Sequence, residues 1–133
     1  MSHRLPAAER LKSRREIGRL FAPGSYSAAA YPVRAVYRTA GQKAGAYPVR
    51  VAFVVPKKRF RRAVDRNLLK RRMREAYRQH KEILAGTRVQ GQSPEQDQLV
   101  LLLMYTGKEA EPYAVIEKKV VKVLRRVAAQ RPG

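Results

Sequence analysis

The chain has 133 residues, 44% of them hydrophobic, and sets 30 Lys and Arg against 10 Asp and Glu, for a formal net charge of +20. That length and apolar content suit one globular domain spanning 1–133 and exclude a disordered basic tail. Cysteine is absent, which excludes disulfides, thiolate catalysis and Cys-ligated zinc; no apolar run reaches the roughly 18 residues of a spanning helix, and no signal-peptide core is visible.

Residues 1–8 and 129–133 read as mobile ends. Glu9 to Phe21 reads as a short helix with Leu11, Ile17, Leu20 and Phe21 as its apolar positions. Ser13 and Glu16 have capping-box spacing, and Pro23-Gly24 stops the helix. Tyr26 to Ala30 is a short edge strand. Val33 to Arg38 alternates Val33, Ala35 and Tyr37 against Arg34, Val36 and Arg38, which is strand period. After a turn over Gly41 to Gly45, Tyr47 to Val55 forms another strand. Its Val51-Ala52-Phe53-Val54-Val55 run is apolar on both faces, which predicts a central position, in a hairpin with the Val33 strand.

Pro56 closes that strand, and a basic connection leads to a long helix, with Asp65 as N-cap, an end near Leu84 or Ala85, and Gly86 at the C-terminal glycine position. Residues 87–97 read as a loop, Leu99 to Tyr105 as a buried strand, and Glu109, Glu111 and Pro112 as the opening of a final helix. That helix carries Tyr113, Ile116, Val120, Leu124 and Val127 at helical spacing. The order predicts an α+β fold with helices on a mixed sheet.

The central segment decides the functional class. Lys57 to Arg78 carries eleven Lys or Arg in twenty-two positions and still keeps an apolar period. On a helical wheel Leu69, Met73, Ala76, Tyr77, His80, Ile83 and Leu84 share one sector, while Asn67, Lys70, Arg71, Arg74, Arg78 and Lys81 cluster opposite it. A solvated face normally alternates sign, yet the Lys70/Arg74/Arg78 row sets like charges four apart. A surface for an RNA or DNA backbone accounts for that charge, with Arg forks bridging phosphates and Asn67 adding a neutral donor and acceptor. The two histidines, His3 and His80, have no carboxylate or second His at metal-ligand spacing. The acids are scattered, so neither a protein catalytic site nor a metal site is predicted.

The run Arg66-Asn67-x-x-Lys70-Arg71-x-x-Arg74, preceded by Lys57-Lys58 and Ala63-Val64, resembles the signature of the bacterial ribonuclease P protein subunit. The resemblance extends over residues 9–128. Arg10-Leu11-Lys12 with Phe21 and Gly24 is similar to the family's first helix and its exit, and Arg50 to Lys58 to the strand entering its basic loop. Leu99 to Leu103 and the Tyr113-to-Val127 helix are similar to its last two elements. Two departures stand out. Arg59-Phe60-Arg61-Arg62 replaces a usual glycine with a loop one residue longer, and Ile17 stands where an aromatic is common.

The resemblance implies a two-layer α/β sandwich like the second domain of ribosomal protein S5, in the order αβββαβα around a four-stranded sheet, with a left-handed βαβ crossover. It implies an accessory subunit whose partner RNA is the catalyst, with Mg²⁺ held mainly by that RNA, acting in the cytoplasm on the 5′ leader of precursor tRNA, with no obligate protein partner. Lys57, Lys58, Arg66, Asn67, Lys70, Arg71 and Arg74 would contact the catalytic RNA. Ile17, Phe21, Arg34 and Tyr37 would line a leader cleft. Arg34 and Tyr37 fall on opposite faces of a regular strand, so they cannot both serve, and Phe21 and Tyr37 also suit an ordinary core. A ribosomal or other structural RNA-binding protein of similar fold is the alternative.

Overall fold

A computed structural model describes residues 14–40, 49–85 and 98–130. Its elements are α1 (Arg14–Arg19), β1 (Tyr26–Ala30), β2 (Val33–Ala40), β3 (Val49–Val54), α2 (Ala63–His80), α3 (Glu82–Ala85), β4 (Gln98–Tyr105) and α4 (Tyr113–Gln130). The α+β class and the four-stranded mixed sheet are as expected. Ser13, the Gly41–Gly45 turn, Gly86, the 87–97 loop and His3 lie outside the described residues. No described helix is long and apolar enough to cross a membrane.

The strand order is β1-β2-β4-β3. β4 runs antiparallel to β2, with Ala35 opposite Leu103 and Tyr37 opposite Leu101, and parallel to β3, with Val51 opposite Leu101. This corrects two sequence expectations. β2 does not form a hairpin with β3, because β4 lies between them; the hairpin is β1 with β2, from Tyr26 opposite Tyr37 to Ala30 opposite Val33. Nor is β3 central. It is an edge strand, apolar on both sides because both sides are covered by helices.

Strand alternation sorts the core into two clusters. Leu99, Leu101, Leu103 and Tyr105 of β4 join Val33, Ala35 and Tyr37 of β2 beneath α2 and α4, which contribute Leu69, Met73, Ala76, Tyr77, Ile116, Val120, Val123, Leu124 and Val127. On the other face Val100 and Leu102 meet Val36, Ala52 and Leu20, with Ile17, Val54 and Met104 packed around them. Leu101, Leu102 and Leu103 are each 0% exposed although consecutive, which requires cover above and below the sheet. Each such side chain contributes about 1.5–3 kcal/mol by leaving water.

α2 starts at Ala63, three residues before an Asp65 cap would begin it. Arg62 takes the cap position with extended backbone (φ −80°, ψ 131°) and no side-chain cap. Asp65 therefore falls in the first turn, where a negative charge still favours the helix dipole. The expected single helix to Leu84 or Ala85 is interrupted at Lys81, beyond which α3 makes one further turn. Arg72 reaches across from α2 to donate to the Glu111 carbonyl, and the buried Tyr105 hydroxyl donates to the Glu109 carbonyl and accepts from Glu111 N–H at 3.0 Å. Together they fix the entry to α4, which Pro112 opens by accepting from Val115 and Ile116 N–H.

Polar side chains fill the seam between α2 and α4. His80 Nε2 and the Tyr113 hydroxyl both lie 3.2 Å from Glu117 Oε2, so His80 is half-buried in a polar contact rather than part of the apolar stripe. Glu75 accepts from Arg78 (2.6 and 3.2 Å) and from Gln79 (2.8 Å). Burial first, then the nearby Glu117 and Glu75 charges, pushes the Tyr113 hydroxyl up to about 12.

Two glycines differ in what a methyl group would meet. At the buried Gly107 a Cβ would lie 2.8 Å from Pro32 Cβ and 2.9 Å from the Tyr105 ring, whereas at Gly18, inside α1, nothing lies within 4 Å. Gly107→Ala is expected to lower the unfolding free energy by about 1–3 kcal/mol through overpacking. Gly18→Ala is expected to raise it by up to about 1 kcal/mol through helix propensity. Urea titration checks both signs.

The Tyr113 environment predicts a second outcome. The unfolded chain releases this proton near the ordinary tyrosine value of about 10, while the folded chain holds it to about 12. The stability it contributes is thus fully present below about pH 10 and is lost as pH rises towards 12. Urea midpoints across that window should fall less steeply in Tyr113→Phe, with Tyr37 and Tyr105, also raised by burial, supplying part of what remains.

Candidate nucleic-acid interface

The segment between β3 and α2 is short, cationic and internally braced. Arg59 and Phe60 N–H both donate to the Pro56 carbonyl, at 3.2 and 3.3 Å. The Phe60 ring turns inward to meet Tyr105 edge-on, 5.7 Å between centroids at 67°. That anchor leaves Lys57, Lys58, Arg59, Arg61 and Arg62 exposed. The Arg66 guanidinium closes the bend, its Nη1 donating to the Phe60 and Arg61 carbonyls at 2.8 Å each. Arg66 is therefore committed first to holding the loop against the helix, a role its spacing in sequence did not reveal.

On α2, Asn67 and Arg71 are exposed and Lys70 and Arg74 are half-buried. Arg74 lies 5.9 Å from the centroid of the Phe53 ring, close enough for a cation–π contact. Phe53 is itself set edge-on against Tyr77. Arg78 departs from the expected uncompensated row, since Glu75 binds it through both carboxylate oxygens. The loop and the outer face of α2 form one cationic surface, with Asp65 as the acid in the first turn. Like charges held this close repel one another, and a polyanion relieves that repulsion.

A second feature lies across the sheet. α1 is docked there by Leu20, 2% exposed, and by two arginines: Arg50 pairs with Glu16 at 2.8 Å, and Arg38 donates to the Arg19 carbonyl at 3.0 Å. Three successive i to i−3 bonds tighten the chain after the helix, from Leu20, Phe21 and Ala22 N–H to the Ile17, Gly18 and Arg19 carbonyls. Gly24, at φ +100°, then turns it into β1, a backbone angle that favours glycine.

A cleft of ≈ 230 Å³ opens beside this turn, with Phe21, Tyr26, Arg34 and Met104 among its lining residues. Phe21 is 59% and Tyr26 49% exposed. Of the four residues expected there, Phe21 and Arg34 line the cleft. Ile17 instead packs half-buried under α1. Tyr37 is a correction: strand alternation turns it to the opposite face, where it is 1% exposed in the core and burial raises its hydroxyl pKa. Tyr26 borders the cleft, but it lies opposite Tyr37 in the β1–β2 pairing and stacks on it at 5.6 Å and 24°, so its ring is on the face that carries Tyr37. An exposed aromatic ring such as Phe21 beside a cation suits sequence-tolerant contact with unpaired bases.

Among the described residues no group of three His, Asp or Glu could hold a metal ion.

Comparison with known proteins finds relatives over most of the chain. The family model described as Ribonuclease P matches residues 5–128. A ribonuclease P protein component of Porphyromonas gingivalis is 36% identical over 97% of this chain and 90% of its own length. One from Chlorobaculum tepidum is 35% identical over 78% of this chain and 68% of its own. Among solved structures, the RNase P protein of Staphylococcus aureus superposes with a TM-score of 0.67 at 18% identity, covering 90% of this chain and 94% of that one. The RNase P protein of Thermotoga maritima superposes at 0.66 and 23% identity, covering 89% and 96%. At those identities the solved structures support the fold.

Proposed function

The chain belongs to the ribonuclease P protein family, and on that premise we propose that it is the RNA-binding subunit of a ribonuclease P, assisting a catalytic RNA in removing the 5′ leader from precursor tRNA. The observation that carries the reading is the braced cationic loop running into the outer face of α2. Its charge is held on rigid backbone, so it meets a phosphate backbone without first being ordered. On this reading Lys57, Lys58, Asn67, Lys70, Arg71 and Arg74 contact the catalytic RNA, and Arg66 shapes the surface they form.

The leader lies in the cleft beside α1, with Phe21 stacking on a base and Arg34 meeting a phosphate. Tyr26 and Tyr37, stacked on each other on the other face of the sheet, take no direct part. The chemistry belongs to the RNA and to Mg²⁺ ions held mainly by it; the protein binds and positions. The complex works in the cytoplasm and needs no further protein.

Purified protein alone is expected to leave precursor tRNA uncut, and adding the cognate RNA at low Mg²⁺ to restore 5′ maturation. Cleavage by the protein without RNA would overturn the reading. Co-purification with ribosomal subunits, rather than with one small RNA and precursor tRNA, would favour a structural RNA-binding protein instead.

The two surfaces separate by mutation. Arg71→Ala or Arg74→Ala should weaken assembly with the catalytic RNA and flatten the slope of log K against log salt by about 0.9 for each phosphate no longer neutralised. Phe21→Ala should cost about 1–3 kcal/mol of binding for precursor over mature tRNA, the worth of one base stack. Equal losses for both tRNAs from both classes of variant would argue for one surface.

A further inference from the structure

α4 carries charge that neither surface uses. Its sequence holds Lys118, Lys119, Lys122, Arg125 and Arg126 against a single acid, Glu117. That acid is already engaged by His80 and Tyr113. Arg126 is turned towards β1, donating to the Ala29 carbonyl. Lys118, Lys122 and Arg125 are exposed, and among the described residues none of the three is in an ion pair. They stand at i, i+4 and i+7, a like-charge row that disfavours an isolated helix. The helix dipole, which would favour cations near the C-terminus, does not account for it, since the last turn of α4 holds no basic residue.

The row borders a groove of ≈ 490 Å³ between α4 and the end of α2, lined by His80, Ala114, Lys118, Val121, Lys122 and Arg125 together with Glu117. Ala114 and Val121 give it an apolar floor, so it offers a place for a base or ribose next to three cations spread along roughly 10 Å of helix. An anionic membrane offers charge complementarity as well, but the apolar face of α4 is spent in the core. Ile116, Val120, Val123, Leu124 and Val127 are each 0% exposed, which leaves nothing to insert among lipids.

We infer that the exposed row Lys118, Lys122 and Arg125, with the groove beside it, is a second RNA-binding surface that takes an unpaired strand through its backbone, independently of the α2 surface. The inference rests on the reading of the chain as an RNA-binding subunit. Glu75 is held by Arg78 of the α2 row and Glu117 by His80 and Tyr113 beside the α4 row.

The test uses the full chain and a fluorescent, unstructured oligouridylate of about 20 nucleotides. Lys118→Gln/Lys122→Gln/Arg125→Gln is compared with Arg14→Gln/Arg15→Gln/Lys108→Gln, which removes the same charge from other exposed positions; melting curves check that both fold. The α4 variant is expected to lower the salt slope by about 2, near 0.7 for each single-strand phosphate left without its cation, beyond any change in the control. Lysine acetylation footprinting supplies a second readout. RNA should protect Lys118 and Lys122 even in the Arg71→Ala/Arg74→Ala background, where the α2 surface is weakened.

A slope equal to that of the charge control, with both lysines unprotected, overturns the proposal. So does protection by anionic phospholipid vesicles but not by RNA. Loss of RNA binding confined to the Arg71 and Arg74 variants overturns this proposal alone, whereas RNA affinity untouched by every variant overturns the subunit reading with it.

Discussion

Because β4 pairs antiparallel with β2 on one side and parallel with β3 on the other, its Leu99-to-Tyr105 run must find apolar cover above and below the sheet at once. That constraint places every helix. The parallel step from β3 to β4 needs a crossover, and α2 is that crossover. It lies over one face with α4 beside it and has its apolar sector spent on Leu69, Met73, Ala76 and Tyr77. The cations of α2 are thereby left facing outward. On the far face α1 and Leu20 pack over Val36, Ala52, Val100 and Leu102, and a cleft opens next to Phe21 and Arg34.

The arginines divide by what their forks reach. Arg38, Arg50, Arg66 and Arg72 each hold a carbonyl or carboxylate of another segment, and Arg78 is chelated by Glu75. These are structural cross-links in a chain that has no cysteine, and lysine could not replace them fork for fork. Arg59, Arg61, Arg62 and Arg71 are exposed and form, with Lys57 and Lys58, the electrostatic surface.

Much of this was legible in the sequence because it depends on local periodicity. The α2 and α4 core positions, the β2 alternation and the cationic face of α2 follow from spacing alone, and Arg66-Asn67 with its flanking residues pointed to the family. What spacing could not supply is pairing between distant segments. The apolar Val51–Val55 run reads the same whether a strand is central or lies at an edge covered on both sides, so β3 was misplaced. Alternation put Arg34 and Tyr37 on opposite faces but could not say which face carried α1. Likewise Arg66 and Arg72 look like surface cations until the fold brings the Phe60, Arg61 and Glu111 carbonyls to them.

The clamp of Arg66 on the Phe60 and Arg61 carbonyls has a kinetic side. Five cations on a free loop would spread apart and sample many arrangements, and a partner would have to wait for the right one. Held as they are, they present a standing field that draws a polyanion in by long-range attraction and meets it as a rigid body. Encounter is then governed by diffusion and ionic strength rather than by loop rearrangement. One guanidinium turned inward, and so withdrawn from the surface, in this way sets the capture speed of the cations around it.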